Sequence, residues 1–232
     1  MRAAATPQKR RKILPKAQRR QQLIEATIAC IARYGLASTT MHMVTREAGL
    51  SVGIANLHFK TKENLLRETL RYVAEEYHKG QIEIMRGSEA DNLSDRLTAL
   101  LNFQLGRGVT QRQKMSVWFA YYGEVGARPV YQKIVSAWDR AAARELEFLF
   151  ASVIREGGYT DIDPGELAIG YAALIDGLHL ALLVTPRELT KQSATNMGRD
   201  FLQRAFPNHI SLSNVFGVHK PPRVLVFWVN TG

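Results

Sequence analysis

A chain of 232 residues with 46% hydrophobic content has ample material for a packed core, so a globular protein is expected. Its formal charge of +10 sits at one end: residues 1–71 hold 14 Lys+Arg and 4 Asp+Glu, whereas residues 72–232 hold 17 of each, the pattern of a small basic module that meets a polyanion joined to a neutral module with another task. One cysteine, Cys30, excludes an internal disulfide; no charged-then-apolar leader opens the chain, and Asp176 and His179 interrupt the most apolar stretch, 168–184, so a cytoplasmic rather than a membrane protein is expected.

Residues 1–18 carry Lys9, Arg10, Arg11, Lys12 and Lys16 with two prolines and no acid, which predicts a flexible basic arm, either a plain solvated tail or a phosphate contact. From Arg19 the apolar spacing becomes helical, with Leu23, Thr27, Ile31 and Tyr34 on one face and Gly35 as terminator. A short helix is predicted over 41–48, capped by Thr40 and ended by Gly49. Another follows over 52–59, capped by Ser51, with Leu50 and Ala55 spaced as a hydrophobic staple. A longer helix from about Lys62 to Gly87 turns Leu65, Leu66, Leu70 and Val73 inward.

Every later segment up to residue 206 again reads as helix. Leu93, Leu97, Leu100, Leu101 and Leu105 form one stripe, residues 114–123 are aromatic, and 130–156 is long and amphipathic. Asp163-Pro164-Gly165-Glu166 offers an N-cap, a proline at the first helical position and a capping-box glutamate for a helix reaching Leu183. Thr185-Pro186-Arg187-Glu188 repeats that signal before a last helix ending near Phe206. The expected fold is all-α: arm 1–18, helix-turn-helix 19–71, a helical ligand-binding and dimerisation domain 72–207, and a tail 208–232 whose apolar run 224–229 has no assigned role.

Two short helices across a tight Gly-Leu-Ser turn suit a major groove, the first braced on the backbone and the second inserted. Thr39, Thr40 and Ser51 stand at helix N-termini, where hydroxyls and free amides suit phosphate oxygens, although the same residues serve simply as caps. Val52 opens the second helix, Gly53 allows close backbone approach, and Asn56 can pair bidentately with an adenine edge. Leu57, His58, Lys60 and Lys62 follow at its far end, the basic ones placed to reach phosphates.

Residues 43–66, M-V-T-R-E-A-G-L-S-V-G-I-A-N-L-H-F-K-T-K-E-N-L-L, resemble the TetR-family signature at Ala48, Gly49, Ser51, Gly53, Phe59, Lys62 and Leu65; Asn56-Leu57 replaces the tyrosine found there in many members. Residues 115–138 and 170–182 are similar to the BetI-type regulatory domain of choline-responsive repressors. The resemblance, over about 19–207, implies an all-helical homodimer on operator DNA, its last two helices forming a four-helix bundle and the preceding ones enclosing an effector pocket. Tyr171, Leu174, Ile175, Leu178 and Leu182 form the apolar face expected to serve that interface as well as the core.

Trp118, Phe119, Tyr121 and Tyr122 cluster within five residues, and Tyr131 and Trp138 lie two turns apart. Such rings either cage a quaternary ammonium or fill a core. Asp176 and His179 stand three apart in an apolar helix and need partners: a bound cation, each other, or the dimer axis. Two possible ligands with no cysteine or third histidine nearby do not complete a metal shell, and no cofactor is called for. No phosphate-cradling loop, nucleophile elbow or metal-binding helix pair marks an enzyme. A non-specific nucleic-acid packaging protein would explain the charge but not the neutral remainder. The function expected is a repressor released by a small effector, choline or a related ammonium compound; the rival expectation is a regulator of an unrelated catabolic or efflux operon that senses a different apolar ligand.

Overall fold

The computed structural model describes residues 15–87, 92–126 and 128–210. Among these residues there are nine helices and no strand: α1 (Lys16–Tyr34), α2 (Met41–Glu47), α3 (Val52–Phe59), α4 (Lys62–Arg86), α5 (Leu93–Gln104), α6 (Arg112–Tyr122), α7 (Pro129–Gly157), α8 (Pro164–Val184) and α9 (Lys191–Ala205). They form two compact units that divide between Thr69 and Leu70, inside α4. The basic stretch Lys9–Lys12 and the apolar run 224–229 lie outside the described residues.

In the first unit, α1 starts at Lys16 behind Pro15, so the last residues of the expected arm are helical, and it ends where Gly35 takes φ +82°. Its inward face, Leu23, Ile24, Thr27, Ile28 and Ile31, is buried, as are Val44 of α2, Ala55 and Phe59 of α3 and Leu65 and Leu66 of α4, and α1 packs on α2. Each such side chain stabilises by about 1.5–3 kcal/mol when fully buried. The caps form as their residue types require: Thr40 Oγ1 accepts from the Met43 amide at 3.2 Å and Ser51 Oγ from the Ile54 amide at 3.3 Å. Gly49, at φ +64°, supplies the left-handed residue of the turn between them.

In the second unit one core gathers Leu97, Leu100 and Leu101 of α5, Leu149, Phe150 and Val153 of α7, Tyr171 and Ile175 of α8, and Leu202 and Phe206 around α9. The face of α8 expected to meet a partner is spent here. Tyr171, Ile175, Leu178 and Leu182 are buried within the chain and Leu174 is partly buried, whereas Ile169 (72% exposed), Ala173, Gly177, Leu180 and Val184 face outward. Periodicity marks an apolar stripe but not which side the chain's own core claims, and α8 is apolar all round.

The start of α8 is as read: Asp163 Oδ1 accepts from the Glu166 amide at 2.7 Å, with Pro164 in the first turn. At 21 residues, longer than the run 168–184, α8 is long and apolar enough to cross a membrane by length and composition. The last helix starts at Lys191, within two residues of the expected start near Leu189, where Thr190 caps the Ser193 amide at 3.1 Å; Thr185-Pro186-Arg187-Glu188 forms a turn ahead of it. The packed body extends to Ile210, which is buried, and Tyr159 Oη accepts from the Asn208 amide at 3.0 Å.

Candidate DNA-reading face and effector recess

Helix α3 keeps Ala55 and Phe59 inside and leaves Gly53, Asn56, Leu57 and Lys60 exposed, a stripe at i, i+3, i+4 and i+7. Leu57 is 76% exposed, an apolar side chain with no fold-level reason to be in water. Lys60 ends the helix at φ +63°, a conformation rare for a side-chain-bearing residue, and its amide closes on the Asn56 carbonyl at 2.9 Å. Thr61 then caps α4, and Lys62 is its first residue. His58 is partly buried; burial and the charges of Lys16, Arg20 and Arg19 hold its pKa below the usual histidine value, which registers the positive field around this helix. Thr39 departs from the expectation: it is 1% exposed and its hydroxyl donates to the Gly35 carbonyl at 2.7 Å, so its side chain is part of a turn rather than a surface contact. Thr40 and Ser51 are exposed and their hydroxyls double as caps.

Two recesses open in the second unit, and Tyr77 of α4 and Trp118 of α6 line both. The first, about 290 Å³, is mainly apolar, with Val73, Phe103, Met115 and Phe119, and carries His179 and the ion pair Lys114–Glu76 at 2.6 Å. The second, about 400 Å³, holds Tyr77, His78, Gln104, Trp118, Tyr122, Asp139 and Asp176. Its rings sit close together: Trp118 lies 5.2 Å from Tyr122 and 6.2 Å from Tyr77, centroid to centroid. Burial pushes the Asp139 carboxyl up to about 6, helped by the nearby Asp176 charge, and burial raises Asp176 too, against the pull of His179. Burial lowers His78 to about 4 and also lowers His179, so both imidazoles are neutral near pH 7. The second recess thus sets aromatic side chains beside carboxylates, with no lysine or arginine among its lining residues.

The six expected aromatics separate. Trp118 and Tyr122 line the second recess and Phe119 the first, but Tyr121 and Tyr131, both 0% exposed, pack edge-on against each other at 5.0 Å as core. Trp138 does not line a recess wall; it stacks on His78 at 6.0 Å with 5° between planes. Asp176 and His179 face different recesses.

Residues 23–69 match the family described as bacterial regulatory proteins, tetR family, and residues 93–207 match the BetI-type transcriptional repressor C-terminal domain. The chain is a TetR-family transcriptional regulator of the BetI type. As a regulator it is not an enzyme. It is 29% identical to the HTH-type transcriptional regulator BetI 2 of Chromohalobacter salexigens over 82% of this chain and 90% of that one. With BetI of Klebsiella pneumoniae it shares 27% over 82% and 95%. Among solved structures, a Pseudomonas aeruginosa regulator superposes with a TM-score of 0.73 at 25% identity, covering 85% of this chain and 95% of that one. A Saccharomonospora viridis regulator solved in complex with choline gives 0.71 at 24%, covering 81% and 96%.

In this TetR-family regulator, Tyr77, His78, Gln104 and Asp139 are the recess residues that sequence reasoning missed. A signal existed for His78. Leu70, Ala74, His78, Gln81 and Met85 form one buried stripe of α4, and two polar side chains in such a stripe demand partners.

Proposed function

We propose that this regulator is a homodimeric repressor and that a small ammonium compound of the choline type, held in the second recess, releases it from its operator. The observation that carries this reading is the pairing of Asp139 and Asp176 with the faces of Tyr77, Trp118 and Tyr122. Ring faces and carboxylates both favour a cation, and a cation relieves the mutual repulsion of the two acids. The choline complex of a protein with this fold supports the same ligand class.

On the DNA side, Asn56 reads a base edge, Leu57 contacts a thymine methyl, Gly53 lets the α3 backbone approach, and Ser51, Val52, His58, Lys60 and Lys62 meet phosphates with Thr40 from α2. Two such heads are presented by a dimer seamed along the outward face of α8, where Gly177 and Ala173 allow close approach between Ile169, Leu180 and Val184. Half-sites then lie about 34 Å apart. One unbroken helix, α4, carries Lys62 at its start and the recess residues Val73, Tyr77 and His78 further along, so a displacement of its recess end reaches the reading end through hydrogen-bonded backbone.

The apolar lining of the first recess favours a second reading, a ligand that is neutral and hydrophobic. Calorimetry separates the two. Choline is expected to bind and to raise the melting temperature, and its neutral isostere 3,3-dimethylbutan-1-ol to do neither. Binding of the neutral compound alone would replace the cation with an apolar effector.

A further inference from the structure

The second recess contains a hydrogen-bond donor that nothing above uses. His78 is 3% exposed, yet its Nε2 has no hydrogen-bond partner among the described residues. Asp139 Oδ1 is 3.4 Å away but does not complete a hydrogen bond with it. A buried polar atom left open in this way costs stability, and a native fold keeps one where something else completes it.

The surroundings fix which form His78 takes. Tyr171 Oη donates to Gln104 Oε1 at 2.7 Å, Gln104 Nε2 donates to Gln81 Oε1 at 3.1 Å, and Gln81 Nε2 donates to His78 Nδ1 at 2.8 Å. Each amide in this buried chain accepts at one end and donates at the other. In this arrangement Nδ1 accepts, and the neutral ring carries its proton on Nε2. Trp138, stacked parallel behind the imidazole, and Trp118, tilted at 5.8 Å, hold the ring plane of His78, which lines the recess.

Resting on the cation reading above, we infer that His78 Nε2–H is a specificity-determining donor, and that the effector is an ammonium compound bearing an oxygen acceptor a few bonds from its nitrogen. The cationic head takes the faces of Tyr77, Trp118 and Tyr122 beside Asp139 and Asp176, and a hydroxyl, carbonyl or ester oxygen of the same molecule accepts from His78. Aromatic cages alone do not distinguish an ammonium alcohol from an alkylammonium of equal size. A site that must fill a hydrogen bond does, because the wrong ligand leaves the donor buried and open. Choline belongs to the accepted class and n-propyltrimethylammonium, with a methyl in place of the hydroxyl, to the rejected one.

Calorimetry on the full-length protein tests this with choline, n-propyltrimethylammonium and 3,3-dimethylbutan-1-ol, on the parent and on His78→Phe, which keeps a ring but has no donor. In the parent, choline is expected to bind about tenfold or more tighter than the propyl compound. In His78→Phe that gap should close through loss of choline affinity, with the propyl compound unchanged. A parent protein that binds both ammonium compounds equally would overturn the role of His78 and leave the aromatic cage standing, and this comparison needs no variant to fold. Binding of the neutral alcohol with neither ammonium would overturn the cation reading and the His78 role with it.

Discussion

The reading unit and the regulatory unit carry function in opposite ways. In the first, the candidate residues belong to one stretch, 51–62, and point outward from a helix whose other face is core, so Gly53, Asn56, Leu57 and Lys60 emerge from a single helical repeat. In the second, the candidate residues come from α4, α5, α6, α7 and α8 and point inward at two recesses. A surface stripe depends on local periodicity and can be altered without rebuilding the fold. A recess is set by how five helices pack, and one turn of one helix cannot define it. The difference teaches that DNA contact tolerates single substitutions whose effects stay separate, whereas ligand contact is coupled to the core.

Four experiments would break or sharpen that contrast. The largest effect is expected from Leu180→Glu, which places a charge on the outward face of α8 in both copies of the proposed seam; sedimentation should show a monomer with unchanged helicity, and a persistent dimer would place the interface elsewhere. Next, Trp118→Ala combined with Tyr122→Ala should weaken choline by roughly 100-fold, since each ring over a desolvated ammonium contributes about 1–2 kcal/mol. Operator affinity of the ligand-free double variant should not change.

Asn56→Ala should cost about 1–3 kcal/mol at one base position and relax specificity there, while Lys62→Ala weakens all sequences alike and lowers the salt slope by about one; titrations over salt with operator and random duplex separate the two effects. The smallest expected effect is on pH. The folded-state value of Asp139, about 6, lies above the ordinary 3.8, so ionising it costs the ligand-free protein stability as pH rises through that window, and a bound cation recovers the loss. Choline affinity should therefore climb about tenfold from pH 5 to 7 and then level off, as isothermal titration at several pH values would record.

How much of this was legible in the sequence follows from the same contrast. Helix order and caps were readable because Thr40, Ser51 and Asp163 act on amides three residues away. Asp163 marked a true start, but Thr185 did not, since Thr190 is the residue that caps α9. In the regulatory unit, spacing placed Trp118 and Tyr122 on one face correctly, yet it gave no means of seeing that Tyr121 turns toward Tyr131, or that Trp138 backs His78. Asp139 was invisible for the same reason, because its meaning comes from Asp176 on another helix. Which face of α8 a partner would cover was not legible, because Ile175 and Leu178 look the same in sequence whether the chain or a partner covers them.

The most direct test of the account is the coupling between recess and reading face. Operator affinity should be measured by fluorescence anisotropy on the dimer with and without saturating choline, and choline affinity by calorimetry with and without operator. Choline is expected to weaken operator binding by roughly 5- to 150-fold, and operator to weaken choline by the same factor, as linkage requires. Operator affinity that stays constant while calorimetry records a filled choline site would contradict it.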